Sequence, residues 1–294
     1  MKAPLQFVAA ATGGRLAGAS VECAGVATDS RTLRPGELFF ALRGERFDGH
    51  DFVAAAAARG AAAAVVERPG DAPLPQVIVA DTTVALGALA AAWRARFELP
   101  VIGVAGSNGK TTTRELLAAV LAGAGPVLAT RGNLNNQVGV PLTLFGLGPQ
   151  HRHAVIEIGA NHPGEVAALA RLVRPTIALV TNSGEEHLEG FGSRAGAARA
   201  EGELFAALGG SGSAVLNVDD PFGDLWREQA AGARILGFGI DTPAEVSARG
   251  IATAIEAGGF VTRFELVAGS AAAPVRLRLA GRHNVMNALA AAGA

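Results

Sequence analysis

Cysteine is nearly absent from the 294-residue chain, which contains Cys23 and no other. A single cysteine excludes an internal disulfide framework and any zinc site built from cysteines. Long apolar runs are missing too, because the longest are alanine-rich and none approaches the roughly 20 strongly apolar residues of a membrane-spanning helix. The N-terminal stretch also lacks a convincing signal-peptide core. We therefore expect a cytoplasmic protein without membrane insertion.

An excess of one charge is absent as well. The chain has 25 basic and 26 acidic residues and a formal net charge of −1. This balance argues against a nucleic-acid partner. Lysine is rare, since only Lys2 and Lys110 occur and arginine supplies the other side-chain cations. The position of Lys110 therefore needs a physical reason.

The patterning predicts an α/β protein with two domains. Residues 1–98 alternate short apolar runs with helical stretches and predict a small N-terminal α/β domain. Residues 99–294 alternate buried strands with helices at 110–122, 163–173 and 194–208, which is typical of a doubly wound, mostly parallel sheet. The segments "GFVTRFELVAG" and "APVRLRLAG" predict an added β-hairpin. Ligands of such sheets bind at the carboxyl ends of the strands.

A phosphate-binding loop is predicted where the strand "VIGVAG" meets the helix that begins at "GKTTT". Backbone amides of such a loop surround phosphate oxygens, and the helix N-terminus adds the positive end of its dipole. The candidate ATP-binding residues are Gly106, Ser107, Asn108, Gly109, Lys110, Thr111 and Thr112. A compact ammonium suits this pocket better than a planar guanidinium, which explains a lysine in an arginine-rich chain. Val104 stands where the strict motif has glycine, so a loop that only connects strand to helix is the alternative.

Two further stretches carry candidate metal ligands. Glu157 ends the strand "HAVIEIG", where it could hold Mg²⁺ beside the loop, with a solvated strand-edge carboxylate as the alternative. His187 lies in the acidic, glycine-rich loop "TNSGEEHLEGFGS". It is interpreted as a second metal ligand, with an ordinary surface histidine as the alternative. The asparagines of "RGNLNNQVGVP" could contact a polar ligand or cap a turn.

Together these stretches resemble the Mur ligases, which add amino acids to the peptidoglycan precursor. The segments "GSNGKTTT", "GNLNNQVGVP", "EIGANHPGE", "HLEGFGS" and "GRHNVMNALAAA" occur in the order and spacing of that family. Upstream, "ATDSRTLRPGELFFALRGERFDGHDF" is similar to its uridine-nucleotide domain. Within the family, the likeness favours the ligases that join D-alanyl-D-alanine to UDP-N-acetylmuramoyl-tripeptide.

The resemblance implies a reaction and a set of roles. ATP would phosphorylate the tripeptide's terminal carboxylate, and the amine of D-alanyl-D-alanine would displace phosphate from the acyl phosphate. Lys110 would stabilise the transferring phosphoryl, Thr111 and Glu157 would hold one Mg²⁺, and His187 would ligate a second. The substrate residues implied are Asn135 and Asn136 on the phosphate side, and Ser30 and Arg31 on the uridine diphosphate. Those implied near adenine and ribose are His283, Asn284 and Asn287. We expect a monomer.

Two departures from the family change these expectations. Glu201 stands where most of these ligases carry a lysine carboxylated by CO₂, so we predict that Glu201 serves the metal through a water or a local shift. A charge on the helix surface is the alternative. The sequence also ends before the family's third domain, within what reads as an unfinished helix. We therefore expect ligase turnover to be absent or very weak.

Other functions remain open at this stage. They are a sister Mur ligase, a non-catalytic module that binds ATP and the UDP-linked precursor, and a P-loop nucleotide switch or kinase. A switch would need base-reading motifs such as D-x-x-G and N-K-x-D, and none is convincing in this sequence.

Overall fold

The computed structural model describes residues 1–185 and 188–294. The chain divides into two compact units, one made of 1–98 with 137–149 and the other of 99–136 with 150–294. The sequence-based division placed 137–149 in the second domain. This segment instead packs within the first unit, where Trp93 Nε1 donates a hydrogen bond to the Leu147 carbonyl at 3.2 Å. Its apolar side chains, which include the buried Val140 and Leu144, complete a core that the first 98 residues begin.

The elements of residues 1–98 are short. They are β1 (Ala3–Pro4), α1 (Leu5–Thr12), β2 (Arg15–Ala17), β3 (Glu22–Cys23), β4 (Val26–Ala27), β5 (Leu38–Phe40), β6 (Arg43–Gly44), β7 (Phe47–Asp48), α2 (Val53–Ala58), β8 (Ala63–Val66), β9 (Gln76–Ile78) and α3 (Thr82–Arg94). The main sheet has the order β2-β9-β8-β5-β4, parallel except for β2. Asp81 caps α3 by accepting hydrogen bonds from the backbone N–H groups of the first turn.

The elements of residues 99–294 alternate strand and helix before an antiparallel extension. They are β10 (Val101–Ala105), α4 (Lys110–Leu121), β11 (Val127–Ala129), α5 (Gly139–Leu144), β12 (His153–Glu157), α6 (Glu165–Val173), β13 (Ile177–Val180), α7 (Leu188–Phe191), α8 (Arg194–Ala206), β14 (Ser213–Asn217), α9 (Gly223–Gln229), β15 (Arg234–Gly239), β16 (Val246–Glu256), β17 (Gly259–Ala268), β18 (Ala271–Leu277) and α10 (Arg282–Gly293). Among them, α5 belongs to the first unit.

The central sheet has the strand order β11-β12-β10-β13-β14-β15-β16-β17-β18. Pairing is parallel from β11 to β16 and antiparallel from β16 to β18. The central residues of its parallel strands are mostly apolar because helices cover both faces of the sheet. Ile102, Val155, Leu179 and Val215 are buried in one core with side chains from α4 and α10. The predicted fold class is confirmed, including the β17–β18 hairpin.

Two strands of this sheet were not predicted from the sequence. β15 carries glycines inside "RILGFG", which weaken a strand pattern, and β16 is largely exposed and mixes small with polar residues. β16 joins the two parts of the sheet, since it pairs parallel with β15 and antiparallel with β17. Within the described part of the chain, every helix is too short or too polar to traverse a bilayer.

Candidate functional site

The loop that follows β10 occupies the switch point of the central sheet. β10 lies between β12 and β13, and the chain leaves it for β11 before it returns. Crevices at the carboxyl ends of strands form at such points. The loop backbone needs two glycines in left-handed conformations, Gly106 with φ of 122° and Gly109 with φ of 83°. A Cβ on Gly106 would lie 2.1 Å from Thr181 Oγ1, and one on Gly109 would lie 2.2 Å from Asn287 Oδ1.

Lys110, the first residue of α4, lies over this loop. Its Nζ donates hydrogen bonds to the carbonyl oxygens of Gly106 and, at 2.7 Å, of Ser107. The first-turn N–H groups of a helix have no intrahelical acceptor, so those of α4 can bind an anion together with the positive end of the helix dipole. The ammonium and these amides converge on the loop, which suits a phosphate group.

The residues that directly follow β13 form further hydrogen bonds with the loop. Asn182 accepts hydrogen bonds from Ser107 N at its carbonyl (2.9 Å) and from Asn108 N at its side-chain oxygen (3.0 Å). Thr181 Oγ1 donates to the Asn108 carbonyl at 2.7 Å. We did not single out Thr181 or Asn182 from the sequence. Their position at the carboxyl end of a buried strand was the available signal.

Glu157 lies beside the loop at the end of β12, with 2 % of its surface exposed. Thr111 Oγ1 donates to its Oε2 at 3.1 Å, and Asn135 Nδ2 donates to its Oε1 at 2.9 Å. The interpretation of Glu157 as a solvated strand-edge carboxylate is therefore wrong. The structure brings Thr111, Asn135 and Glu157 together, whereas Asn136 is exposed.

Arg114 is a residue of this cluster that sequence reasoning missed. Its Nη1 donates to Glu157 Oε2 at 2.8 Å and to the Gly132 carbonyl at 2.9 Å. The side chains of Arg114 and Glu157 are both 3 % exposed. Arg114 follows Lys110 by one helical turn, so the same face of α4 carries both cations. That spacing was the signal available in the sequence.

The donor set around Thr111 fits a magnesium ion. A hydroxyl and a carboxylate are hard oxygen ligands, and Mg²⁺ usually takes one or two such groups from the protein and the rest from phosphate and water. Residues 1–185 and 188–294 contain no group of three His, Cys, Asp or Glu side chains placed to hold a metal. His187, the predicted second ligand, lies outside the described residues.

Glu201 is buried on α8 and 8 % exposed, so its interpretation as a helix-surface charge is wrong. Its Oε2 accepts a hydrogen bond from Gly106 N at 2.5 Å. The carboxylate is thus turned toward the phosphate loop. Its service to a metal stays a prediction.

A cavity of about 620 Å³ opens beside the loop. Asn108, Gly109 and Thr112 form one wall, and His283, Asn284 and Asn287 of α10 form another. His283 is exposed, whereas Asn287 is buried and accepts from Thr113 Oγ1 at 3.4 Å. The remaining wall includes the apolar side chains of Phe238, Leu279 and Met286, which the sequence did not single out. A flat ring could lie between the apolar wall and the asparagines.

The first unit has a separate cavity of about 310 Å³ at Ser30 and Arg31. Phe39, Phe47 and Phe52 also line it. Ser30 is buried, and Arg31 is exposed and pairs with Asp29 at 2.8 Å. Hydrogen bonds from Arg31 lower the pKa of Asp29 to about 2. The cavity therefore combines a cation with aromatic faces, as a site for a charged, ring-bearing ligand would.

Comparison with known proteins adds a family to this geometry. The Mur ligase middle domain matches residues 104–294, and the catalytic domain of the Mur ligase family matches residues 22–94. The UDP-N-acetylmuramoyl-tripeptide–D-alanyl-D-alanine ligase of Escherichia coli is 46% identical over 95% of this chain and 61% of its own length.

Solved structures agree with the sequence comparison. MurF from Acinetobacter baumannii superposes with a TM-score of 0.93 at 41% identity, over 99% of this chain and 64% of that one. MurF from Thermotoga maritima, solved in complex with ADP, gives 0.79 at 30% identity, over 91% and 61%. The chain spans less than two thirds of the length of each of these relatives. Because the middle-domain match covers more than half of its residues, the chain belongs to the Mur ligase family.

Proposed function

We propose that this chain carries the ATP- and precursor-binding chemistry of a ligase that adds D-alanyl-D-alanine to UDP-N-acetylmuramoyl-tripeptide. The observation that carries the proposal is the cluster at the end of β10, where Lys110 lies over a glycine loop and Thr111 Oγ1 lies 3.1 Å from the buried Glu157. The relatives whose names state this reaction support the choice of substrates. That reaction acts on a cytoplasmic precursor, so a cytoplasmic location of this chain would be consistent with it.

The loop would bind the β- and γ-phosphates of ATP. Lys110 would keep its contacts with the loop carbonyls and place the remaining ammonium proton toward a phosphate oxygen. The amides of the first turn of α4 would bind further phosphate oxygens, and the adjoining cavity would take adenine and ribose. Fixed donors of this kind stabilise a transferring phosphoryl without reorganising during the reaction.

Thr111 and Glu157 would hold Mg²⁺, which supplies neutralisation of the phosphate charge when it is bound. Arg114 and Asn135 keep the Glu157 carboxylate facing Thr111, so the oxygen donors are oriented before a ligand arrives. A second Mg²⁺ at His187 stays a prediction, as does a contact of Asn136 with the substrate.

The reaction would proceed in two transfers. An oxygen of the tripeptide's terminal carboxylate would form a bond to the γ-phosphorus as the bond to ADP breaks. The free amine of D-alanyl-D-alanine would then attack the acyl carbon, lose a proton and expel inorganic phosphate. The protein's contribution would be to align the reacting groups for the phosphoryl transfer and for the acyl transfer, and to exclude water. The cavity at Ser30 and Arg31 would bind the uridine diphosphate of the precursor.

The chain's two lysines provide a test of the nucleotide site. ADP binding, measured by calorimetry, should weaken about ten- to a hundredfold in Lys110→Ala, the range for a hydrogen bond to a charged group. Lys2→Ala is the matched control and should leave the affinity unchanged, because Lys2 is exposed at the start of the first unit. Amine labelling followed by mass spectrometry should also show Lys110, and not Lys2, protected by ATP. Equal affinities in the two variants would contradict the proposal.

The substrates are tested by omission. Phosphate release should require ATP, Mg²⁺, the UDP-linked tripeptide and D-alanyl-D-alanine together. Hydrolysis that is independent of the precursor would indicate a nucleotide switch. Because any turnover is expected to be very weak, the chain is used in amounts comparable to the substrates, and binding of the precursor without even one turnover would indicate a binding module.

A further inference from the structure

Helix α8 contains two glutamates that both accept hydrogen bonds from backbone N–H groups. Glu203 accepts from Gly164 N at 2.9 Å and from Ala167 N at 3.0 Å, and so caps the start of α6. Glu201 accepts from Gly106 N, the first residue of the phosphate loop after β10. One glutamate therefore joins two helices, whereas the other joins α8 to the candidate site.

Glu201 reaches the loop because α8 packs directly on β10. A Cβ on Gly103 would lie 3.1 Å from Leu204 Cδ1, so the missing side chain at 103 lets the helix approach the strand closely. Glu201 precedes Leu204 by three residues and lies on the same face of the helix. The carboxylate is thereby placed near the end of the strand, where only 8 % of the residue is exposed.

Gly106 is held on both sides of its Cα by groups of opposite charge. Its N–H is bonded to the Glu201 carboxylate, and its carbonyl oxygen accepts from Lys110 Nζ. A buried carboxylate is costly unless it is hydrogen-bonded, and hydrogen bonds to ionised groups are stronger than neutral ones. The contact with Glu201 therefore fixes the peptide that precedes the Gly106 Cα, and the contact with Lys110 holds the carbonyl of the peptide that follows it.

We propose that Glu201 is a positioning residue that anchors the phosphate loop through Gly106 N and thereby preorients Lys110. This inference rests on the proposed nucleotide site. It differs from the role expected at this position by resemblance, where a carboxylated lysine would support a metal ion. In this chain the carboxylate acts on the backbone of the loop, and its effect on nucleotide binding does not depend on Mg²⁺ or on CO₂.

The test compares Glu201→Gln and Glu201→Ala with the matched control Glu203→Gln on the same helix. The first readout is amide hydrogen exchange of Gly106, measured by NMR on the chain without ligand. Exchange should accelerate about ten- to a hundredfold in Glu201→Ala, the range for loss of a hydrogen bond to a charged group, and less in Glu201→Gln, which keeps an acceptor oxygen. Glu203→Gln should leave the exchange of Gly106 unchanged. If the alanine variant fails to fold, the glutamine variant carries the test.

The second readout is ADP affinity, measured once in EDTA and once with excess Mg²⁺. Loss of affinity by the same factor in both conditions supports the positioning role. Loss confined to the Mg²⁺ series would instead assign Glu201 to the metal and overturn the proposal, as would unchanged exchange at Gly106. Failure of the unsubstituted chain to bind ADP would refute the proposed nucleotide site, while the exchange measurement would still decide whether Glu201 anchors the loop.

Discussion

The buried pair of Arg114 and Glu157 offers the most direct test of the site's architecture. Arg114→Met removes the guanidinium and keeps much of the apolar stem. Glu157 then retains its contacts with Thr111 and Asn135 but loses the cation at 2.8 Å. Both side chains of the pair are 3 % exposed, so water cannot readily replace the lost partner.

The size of the effect follows from this burial. Removing one partner of a buried ion pair costs about 3–5 kcal/mol, because the other charge stays buried without compensation. For a domain of this size, each kcal/mol lowers the melting temperature by about 2–4 °C, so a decrease of about 6–20 °C is expected. The double variant Arg114→Met/Glu157→Gln should lose less than the sum of the two single variants, with a coupling of about 1–3 kcal/mol.

Tryptophan fluorescence in urea can follow the second unit alone. Trp226 is fully buried in that unit, and Trp93, in the first unit, can be replaced by phenylalanine in every variant. Arg249→Met is the control, since it breaks a surface ion pair with Glu265 and should leave the unfolding midpoint unchanged. An unaltered midpoint in Arg114→Met, or single-variant effects that simply add in the double variant, would refute the reasoning.

Three further predictions follow from the described contacts. Gly106→Ala should lower the melting temperature and weaken ADP binding, because its Cβ would lie 2.1 Å from Thr181 Oγ1 at a φ of 122°; calorimetry that shows neither change would contradict this. Burial, helped by a neighbouring carboxylate, raises the pKa of Cys23 to about 11, so the thiol of the folded chain should react slowly with a disulfide reagent at pH 8 and rapidly in urea. The stabilisation linked to this raised pKa is present below the thiol's ordinary value of 9.0 and is lost as the pH rises through about 11, and fast labelling of the folded chain at pH 8 would count against it. Burial alone would raise the pKa of Asp219, but hydrogen bonds from the backbone N–H groups of 240–242 outweigh burial and lower it. Asp219→Asn should therefore reduce the unfolding free energy by about 1 kcal/mol at pH 7, and the difference from the unsubstituted chain should shrink as the pH falls below the usual 3.8; a difference that does not decrease with falling pH would disprove this linkage.

The sequence predicted the parts of the structure that depend on local patterns. β10, the loop and α4 follow from an apolar run, two glycines and a helix that begins at Lys110. The doubly wound sheet follows from short apolar runs separated by helices, because strands buried on both faces need no alternation. The meeting of Thr111 with Glu157 was also foreseeable, since neighbouring parallel strands end at the same edge of a sheet.

The parts that were missed depend on contacts between distant residues. The assignment of 137–149 to the first unit rests on packing and on the contact between Trp93 and Leu147, which no local pattern encodes. Arg114 reads as an ordinary surface residue of an amphipathic helix, and its burial is decided by Glu157, which lies 43 positions later in the chain. The contact of Glu201 with Gly106 N spans 95 positions and needs the close packing of α8 on β10.

The wall that α10 gives to the cavity has a consequence for the order of assembly. Thr113 and Asn287 are separated by 174 positions, yet they are hydrogen-bonded beside Gly109. Contacts of such large sequence separation form late, because closing a long loop costs conformational entropy before the new contacts stabilise the structure. On the ribosome, the strand and loop of residues 101–112 are synthesised long before Asn287 emerges. A nascent chain therefore lacks one wall of this crevice until α10 docks.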